Sequence, residues 1–171
     1  MKKATNNILI LLLVVILSGC KVSYSFRGTN LSSEVKSISI STIENRAMKV
    51  NPSLSNNFTN ELQDKYRKLT KLEMLQEGGD LEISGYIASY DISPTAVTAE
   101  EVASMNRLTV TVKIFFTNNI TPEESFEEGK SFVAFQDYDS NLSIDAVEAQ
   151  LCDEIIKTLV EDIFNATVAN W

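Results

Sequence analysis

Apolar positions recur along this chain in three patterns, and each predicts a different element. Ile8 to Leu17 is apolar without interruption and follows Lys2 and Lys3. From Val35 to Ile43, Ile38 and Ile40 alternate with Ser37, Ser39 and Ser41, the period of a half-buried strand. Asn51-Pro52 then reads as an N-cap followed by the first helical residue. Leu54, Phe58, Leu62, Tyr66 and Leu69 follow at spacings of four and three, one apolar stripe that predicts a helix from about Pro52 to Leu69. Lys65, Arg67, Lys68 and Lys71 gather at its end, where cations suit the helix dipole.

Leu72 to Leu75 reads as a short strand start, and Gly78-Gly79-Asp80 as a turn. Leu81, Ile83, Gly85 and Ile87 alternate with Glu82, Ser84, Tyr86 and Ala88, predicting a strand that reaches about Tyr90 or Ile92. Ser93 to Asn106, with Pro94 and Glu100-Glu101, breaks the alternation and reads as the longest loop. Leu108, Val110, Val112, Ile114 and Phe116 alternate with Thr109, Thr111, Lys113 and Phe115, the clearest strand of the chain. Asn118 to Glu124 is a turn, and Phe126 to Tyr138 returns as a strand, irregular around Gly129. Ile144 to about Val168 carries a wide apolar stripe and predicts one long helix deep against a sheet. The expected architecture is α+β, with two helices packed on one face of a four-stranded, mostly antiparallel sheet.

The apolar run changes meaning when its flanks are read. A positive start, an apolar core too short for a permanent span, and Leu17-Ser18-Gly19-Cys20 resemble the signal peptide and lipobox of bacterial lipoproteins. Residues 1–19 are then removed, Cys20 is lipidated, residues 20–34 form a tether, and 35–171 form a single α+β domain. One acyl chain binds membranes reversibly and two or more anchor stably, so a multiply acylated Cys20 holds the chain to a membrane. Loss of Lys2 and Lys3 takes the net charge from −8 to −10. A chain this acidic is no general binder of nucleic acid or of anionic membrane. With Cys20 committed to lipid, Cys152 has no intrachain disulfide partner.

The absence of histidine removes the commonest general base and metal ligand, and no conventional triad can form without it. The paired glutamates at 100–101, 123–124 and 127–128 sit as neighbours and read as solvated surface. Cys152 has Asp153 and Glu154 beside it, which would raise a thiol pKa rather than activate it. Neither enzyme chemistry nor a cofactor is expected. Asp137, Asp139, Asn141 and Glu148 match positions 1, 3, 5 and 12 of a calcium loop, but Leu142 stands where that loop needs glycine. Capping of the last helix accounts for the same residues, and the two readings part on whether the oxygens converge. Arg46, Lys49, Arg107 and Lys113 are isolated cations. They read either as ordinary solubility or as contacts to a phosphorylated headgroup or to a partner.

Several segments together resemble the LPS-assembly lipoprotein family LptE in its Bacteroidetes-type form. They are the lipobox, Glu44-Asn45-Arg46-Ala47, Val50-Asn51-Pro52-Ser53-Leu54-Ser55, Glu77-Gly78-Gly79-Asp80-Leu81, Met105-Asn106-Arg107-Leu108-Thr109-Val110, Asp137-Tyr138-Asp139-Ser140, and the stretch from Asp162 to Trp171. The resemblance implies two helices on a four-stranded sheet and a partner, the outer-membrane LPS-assembly β-barrel (LptD-like), in which the lipoprotein sits as a plug. It also implies help in handing lipopolysaccharide to the outer leaflet, with a loop between middle strands, here Ser93 to Arg107, as an LPS contact. That stretch is acidic apart from Arg107. A stand-alone lipid- or solute-binding lipoprotein is the competing expectation. Lys21 after Cys20 and the lack of a following acidic run imply the periplasmic face of the outer membrane.

Overall fold

Nine residues from Ser37 to Asn45 lay down two short strands on which the rest of the sheet is registered, β1 (Ser37–Ile40) and β2 (Glu44–Asn45). The structure is a computed structural model and describes residues 31–49, 51–97 and 103–169. The segment read as a signal peptide, Cys20, most of the expected tether, Glu100-Glu101 and the last two residues lie outside the described residues. Among those described, no helix is long and apolar enough to cross a membrane.

Helix α1 (Leu54–Leu69) buries Leu54, Phe58, Thr59, Leu62 and Tyr66, the stripe that its spacing predicts, whereas Leu69 is exposed. It starts later than Asn51-Pro52 suggests, with Ser53 at the N-cap. Asn51 instead closes a turn, its Oδ1 accepting from the Ser53 N–H (3.0 Å) and hydroxyl (2.9 Å). Strand β3 (Glu73–Leu75) follows, then the long strands β4 (Leu81–Val97), β5 (Ala103–Asn118) and β6 (Phe126–Asp139). Helix α2 (Ile144–Phe164) ends in a π-helical turn, Asn165–Ala169. There the Thr167 hydroxyl donates to the carbonyls of Ile163 (2.8 Å) and Phe164 (3.2 Å), supporting the wider turn.

The sheet differs from the expected four mostly antiparallel strands. It is mixed and six-stranded, in the order β3-β1-β4-β5-β6, with β2 also pairing β4. β1 runs parallel to both β3 and β4, and β2 parallel to β4, while β4–β5 and β5–β6 are antiparallel. The crossover through α1 is the cause, since a strand that returns after a helix lies parallel to the one before it. The expected loop from Ser93 to Asn106 is largely strand. Ser93 pairs Arg107, Pro94 pairs Asn106 and Val97 pairs Ala103, with register shifts at Pro94/Ala96 and Ala96/Val97. Proline is tolerated there because it lies at an irregularity of the ladder.

Both helices cover one face. Leu81, Ile83, Ile87, Leu108, Val110, Val112, Ile114 and Phe116 point into the same core as Leu151, Ile155, Ile156, Leu159, Val160 and Ile163 of α2. Tyr66 of α1 meets Phe164 of α2 edge-on, ring centroids 5.1 Å apart. At the sheet's other end Asp80 clamps β1. Its carboxylate accepts from the backbone N–H of Lys36 (2.8 Å) and Ser37 (3.0 Å) and from the Ser37 hydroxyl (2.9 Å).

These contacts predict the shape of the pH–stability curve. The N–H bond from Lys36 and then the Ser37 hydroxyl hold the Asp80 carboxyl below its ordinary value. The stability it contributes is present above the unfolded carboxyl value of about 4 and is lost as pH falls through the lowered folded value. Burial pushes the phenols of Tyr66 and Tyr90 above their ordinary value and the Cys152 thiol up to about 11. The unfolded chain therefore loses these protons first, and stability falls as pH rises beyond about 9. Melting temperatures read by circular dichroism should fall on both sides of a plateau. A curve that keeps rising above pH 10 would contradict the assignment.

Candidate functional site: the open face of the sheet

Strand alternation that buries one face leaves the other bare, and the helices cover only one. On the bare face β4 presents Tyr86, β5 presents Arg107, Thr109, Thr111, Lys113 and Phe115, and β6 presents Ser131, Val133, Phe135 and Asp137. Val133 is 54% and Phe135 49% exposed, high values for large apolar side chains on a regular strand.

Three of the four cations singled out from the sequence lie on this face, each over an aromatic ring. The Arg107 guanidinium lies 3.7 Å from the centroid of Phe135 and grips Asp137 across the strands, Nε–Oδ1 2.7 Å and Nη2–Oδ2 2.9 Å. Arg107 and Asp137 are directly opposed in the β5–β6 register. This two-pronged pair holds the Asp137 carboxyl below and the Arg107 guanidinium above their ordinary values. Lys113 lies 5.5 Å above Phe115, and Phe115 is 6.3 Å from Tyr86. Arg46, following β2, lies 4.6 Å over Tyr86 and 3.0 Å from the Glu44 carboxylate. Arg46, Tyr86, Phe115 and Lys113 thus form one continuous row, with Arg107 further along the same face.

Gly129 is what lets the row lie flat. Its φ is +82°, and a Cβ there would meet Lys113 Cε at 2.5 Å and Phe115 Cε1 at 2.8 Å, so those side chains rest on its backbone.

Lys49 is elsewhere. It approaches the ring of Tyr90 at 5.7 Å, and Tyr90 is buried towards α2, its hydroxyl donating to Glu148 Oε1 at 2.5 Å. That bond also decides the calcium-loop spacing. Glu148 serves Tyr90, Asp137 serves Arg107, and Asp139 Oδ1 accepts from the Asn141 N–H and amide, both at 2.8 Å. The oxygens do not converge, and no group of three such ligands occurs among the described residues. Cys152 is buried, with Asn51 Nδ2 3.9 Å from its sulfur. Burial is the larger cause of its raised pKa, ahead of Glu148 and Asp153. Sequence reading missed Asp137 as the partner of Arg107, because only the β5–β6 register brings residues 30 apart together.

Solved structures with this architecture are distant in sequence. An uncharacterised lipoprotein B from Nitrosomonas europaea superposes with a TM-score of 0.56 at 9% identity, covering 83% of this chain and 88% of that one. A hypothetical protein from Chlamydia trachomatis gives 0.53 at 8% identity, covering 80% and 99%. Rare lipoprotein B from Shewanella oneidensis gives 0.50 at 8%, covering 75% and 89%. At such identities the likeness concerns the fold. No curated protein matches the chain. The family model for LptE, described as lipopolysaccharide-assembly, matches residues 35–167, from just before β1 to the π-helical turn, and the chain therefore belongs to the LptE lipopolysaccharide-assembly family.

Proposed function

We propose that this chain is an outer-membrane lipoprotein, lipidated at Cys20, that acts as plug and assembly partner of the LPS-translocon β-barrel. In that role it assists insertion of lipopolysaccharide into the outer leaflet and performs no chemistry of its own. The observation that carries the reading is the bare sheet face. A flat surface with Val133 and Phe135 half exposed and Arg46, Arg107 and Lys113 lying on aromatic rings suits a large rigid partner. Family membership supports the setting. A carrier acting alone would need an enclosed apolar cavity of ligand size. The hollow between the helices is instead lined by Asn57, Asn60, Glu61, Asp64, Asp153 and Lys157 beside Ile156.

Charge fits the proposal locally. A net charge of −10 repels phosphorylated lipid at a distance, but screening limits that repulsion to about 8 Å at physiological salt. Arg107 and Lys113 lie six residues apart on one side of β5, about 20 Å, which suits two contacts on a large glycolipid or a barrel wall. The same face places Arg46 beside Lys113, while Lys49 would act only from the α2 side.

The test is affinity purification from solubilised outer membranes. A wild-type chain recovered without a β-barrel would sink the plug reading. The double substitution Arg107→Ala with Lys113→Ala should cut barrel recovery or LPS binding at least ~10-fold. Melting should change little, since partly exposed ion pairs contribute about 0–1 kcal/mol. Wild-type recovery and LPS affinity in that variant would reduce both cations to solvated surface and leave the plug reading intact.

A further inference from the structure

Among the described residues, the open edges of the sheet are not equally protected. β2 and β3 offer only two and three residues. The edge of β4 beyond Ile87, where pairing to β2 stops, carries Pro94 and register shifts at Ile87/Ser89, Pro94/Ala96 and Ala96/Val97. Proline and bulges of this kind blunt an edge against further pairing. β6 has no such device over most of its length. From Lys130 to Asp139 it pairs β5 without a register shift, and no described strand pairs its other side. At about 3.3 Å per residue this is a straight edge of roughly 30 Å.

We infer that β6 pairs antiparallel with β6 of a second copy, about a two-fold axis at Ala134. A two-fold axis between antiparallel strands stands perpendicular to the sheet. Opposed residues then lie on the same face, and one residue faces its own copy. The exposed Val133 and Phe135 decide which residue that is. An axis at Val133 would set Phe135 against Ser131, and an axis at Phe135 would set Val133 against Asp137. The axis at Ala134 sets Val133 against Phe135 in both halves, so four exposed apolar side chains cover one another.

The other pairs agree with that register. Lys130 faces Tyr138, Phe132 faces Gln136 and Asp139 faces Gly129, so no charge lies directly opposite a like charge. Asp137, gripped by Arg107, faces Ser131, whose exposed hydroxyl can donate to the same carboxylate. Beside Phe132 a hollow of about 640 Å³ lies between the edge and Asp162, Asn165 and Ala166. The register brings Gln136 of the second copy to its mouth. Each copy uses its edge against the other, so the assembly closes at two, and the two bare faces join into one. Ten residues a side make an interface near the low end for specific complexes, with a dissociation constant expected at about 10–100 μM. The inference rests on β6 alone and is independent of the barrel reading.

The experiment is sedimentation equilibrium of the full chain in density-matched detergent, with two variants that differ only at position 133. Val133→Glu with Phe135→Glu puts like charges opposite one another across an Ala134 axis, and Val133→Lys with Phe135→Glu puts opposite charges there. Both positions are exposed, and in both variants the new carboxylate at position 135 lies beside Arg107, so their circular dichroism melts should be similar. The wild type should dimerise, and the Lys–Glu variant should do so at least ~10-fold more tightly than the Glu–Glu variant. Amides of residues 130–138 should exchange more slowly above the dissociation constant than below it, while those of β3 stay unchanged. A wild-type chain still monomeric at ~1 mM would overturn the proposal and leave the edge to a segment of another protein. So would dimers of equal strength in the two variants, since the contact or its register would then lie elsewhere.

Discussion

Replacing Gly79 by alanine is expected to destabilise the domain by at least ~3 kcal/mol, although only one methyl group is added. A Cβ at this position would stand 2.6 Å from the Ser39 nitrogen, 2.7 Å from the Leu81 oxygen and 2.8 Å from the Ile38 carbonyl carbon. All three are backbone atoms, and Ile38 and Ser39 belong to the β1 ladder against Leu81 and Glu82. No rotamer change makes room, so β1 must move away from β4. Neighbouring Gly78 is the control. It has φ +70° and open space around it, so alanine there costs only the strain of a left-handed backbone, about 1 kcal/mol. Denaturant midpoints of the two variants read the difference. If Gly79→Ala unfolds within ~1 kcal/mol of the wild type, β1 is not packed as described.

Tyr66→Ala should cost about 4 kcal/mol, a large part of the ~5–15 kcal/mol that holds a domain of this size together. Tyr66 is fully buried, meets Phe164 edge-on, and donates its hydroxyl to Thr167, whose own proton is used on the Ile163 carbonyl. One side chain thus joins α1 to the far end of α2. Tyr66→Phe keeps the ring and loses one hydrogen bond, about 1 kcal/mol. Thr167→Val leaves a buried hydroxyl without its acceptor, about 2 kcal/mol. The ordering Ala, then Val, then Phe, measured by chemical denaturation, tests the assignment, and a Phe variant as unstable as the Ala variant would refute it. The consequence reaches the bare face. α1 also holds Ile43, through Thr59 Oγ1 at 3.0 Å and the Ser55 hydroxyl at 2.6 Å, and Ile43 leads into β2 and Arg46.

Local pattern told most where burial is one-sided and continuous. The alternation from Leu108 to Phe116 and the stripe from Leu54 to Tyr66 are each complete within one element, and both appear in the structure as read. What stayed hidden depends on distant partners. β2 is too short to carry a period, and becomes a strand only because β4 offers it an edge, while the strand start read at Leu72 to Leu75 gave no sign of its parallel place beside β1. Ser93, Pro94 and Thr95 are all exposed although they lie in β4, and a stretch exposed on both sides needs no apolar alternation, so it reads as loop. Arg107 was visible as a cation, but its commitment to Asp137 and Phe135 follows from register, which a sequence of this kind does not spell out. The calcium-like spacing failed for the same reason, since Tyr90 lies 58 residues from the Glu148 it occupies.

The mixed sheet also sets a timetable. β4, β5 and β6 follow one another closely in the chain and are neighbours in the sheet, so their pairing brings together residues near in sequence and can begin as soon as residues 81–139 are free. β1 has no such neighbour. Its partners β3 and β4 lie beyond α1, and the four-residue strand Ser-Ile-Ser-Ile cannot be satisfied until both have arrived. In a chain that emerges N-terminus first, β1 waits longest with its backbone open, next to whatever holds the residues before it. Its alternate serines keep that waiting segment half polar, and its brevity gives a stray strand little to pair with. The last strand to be accommodated is among the first to be delivered, and its composition is that of a segment able to wait.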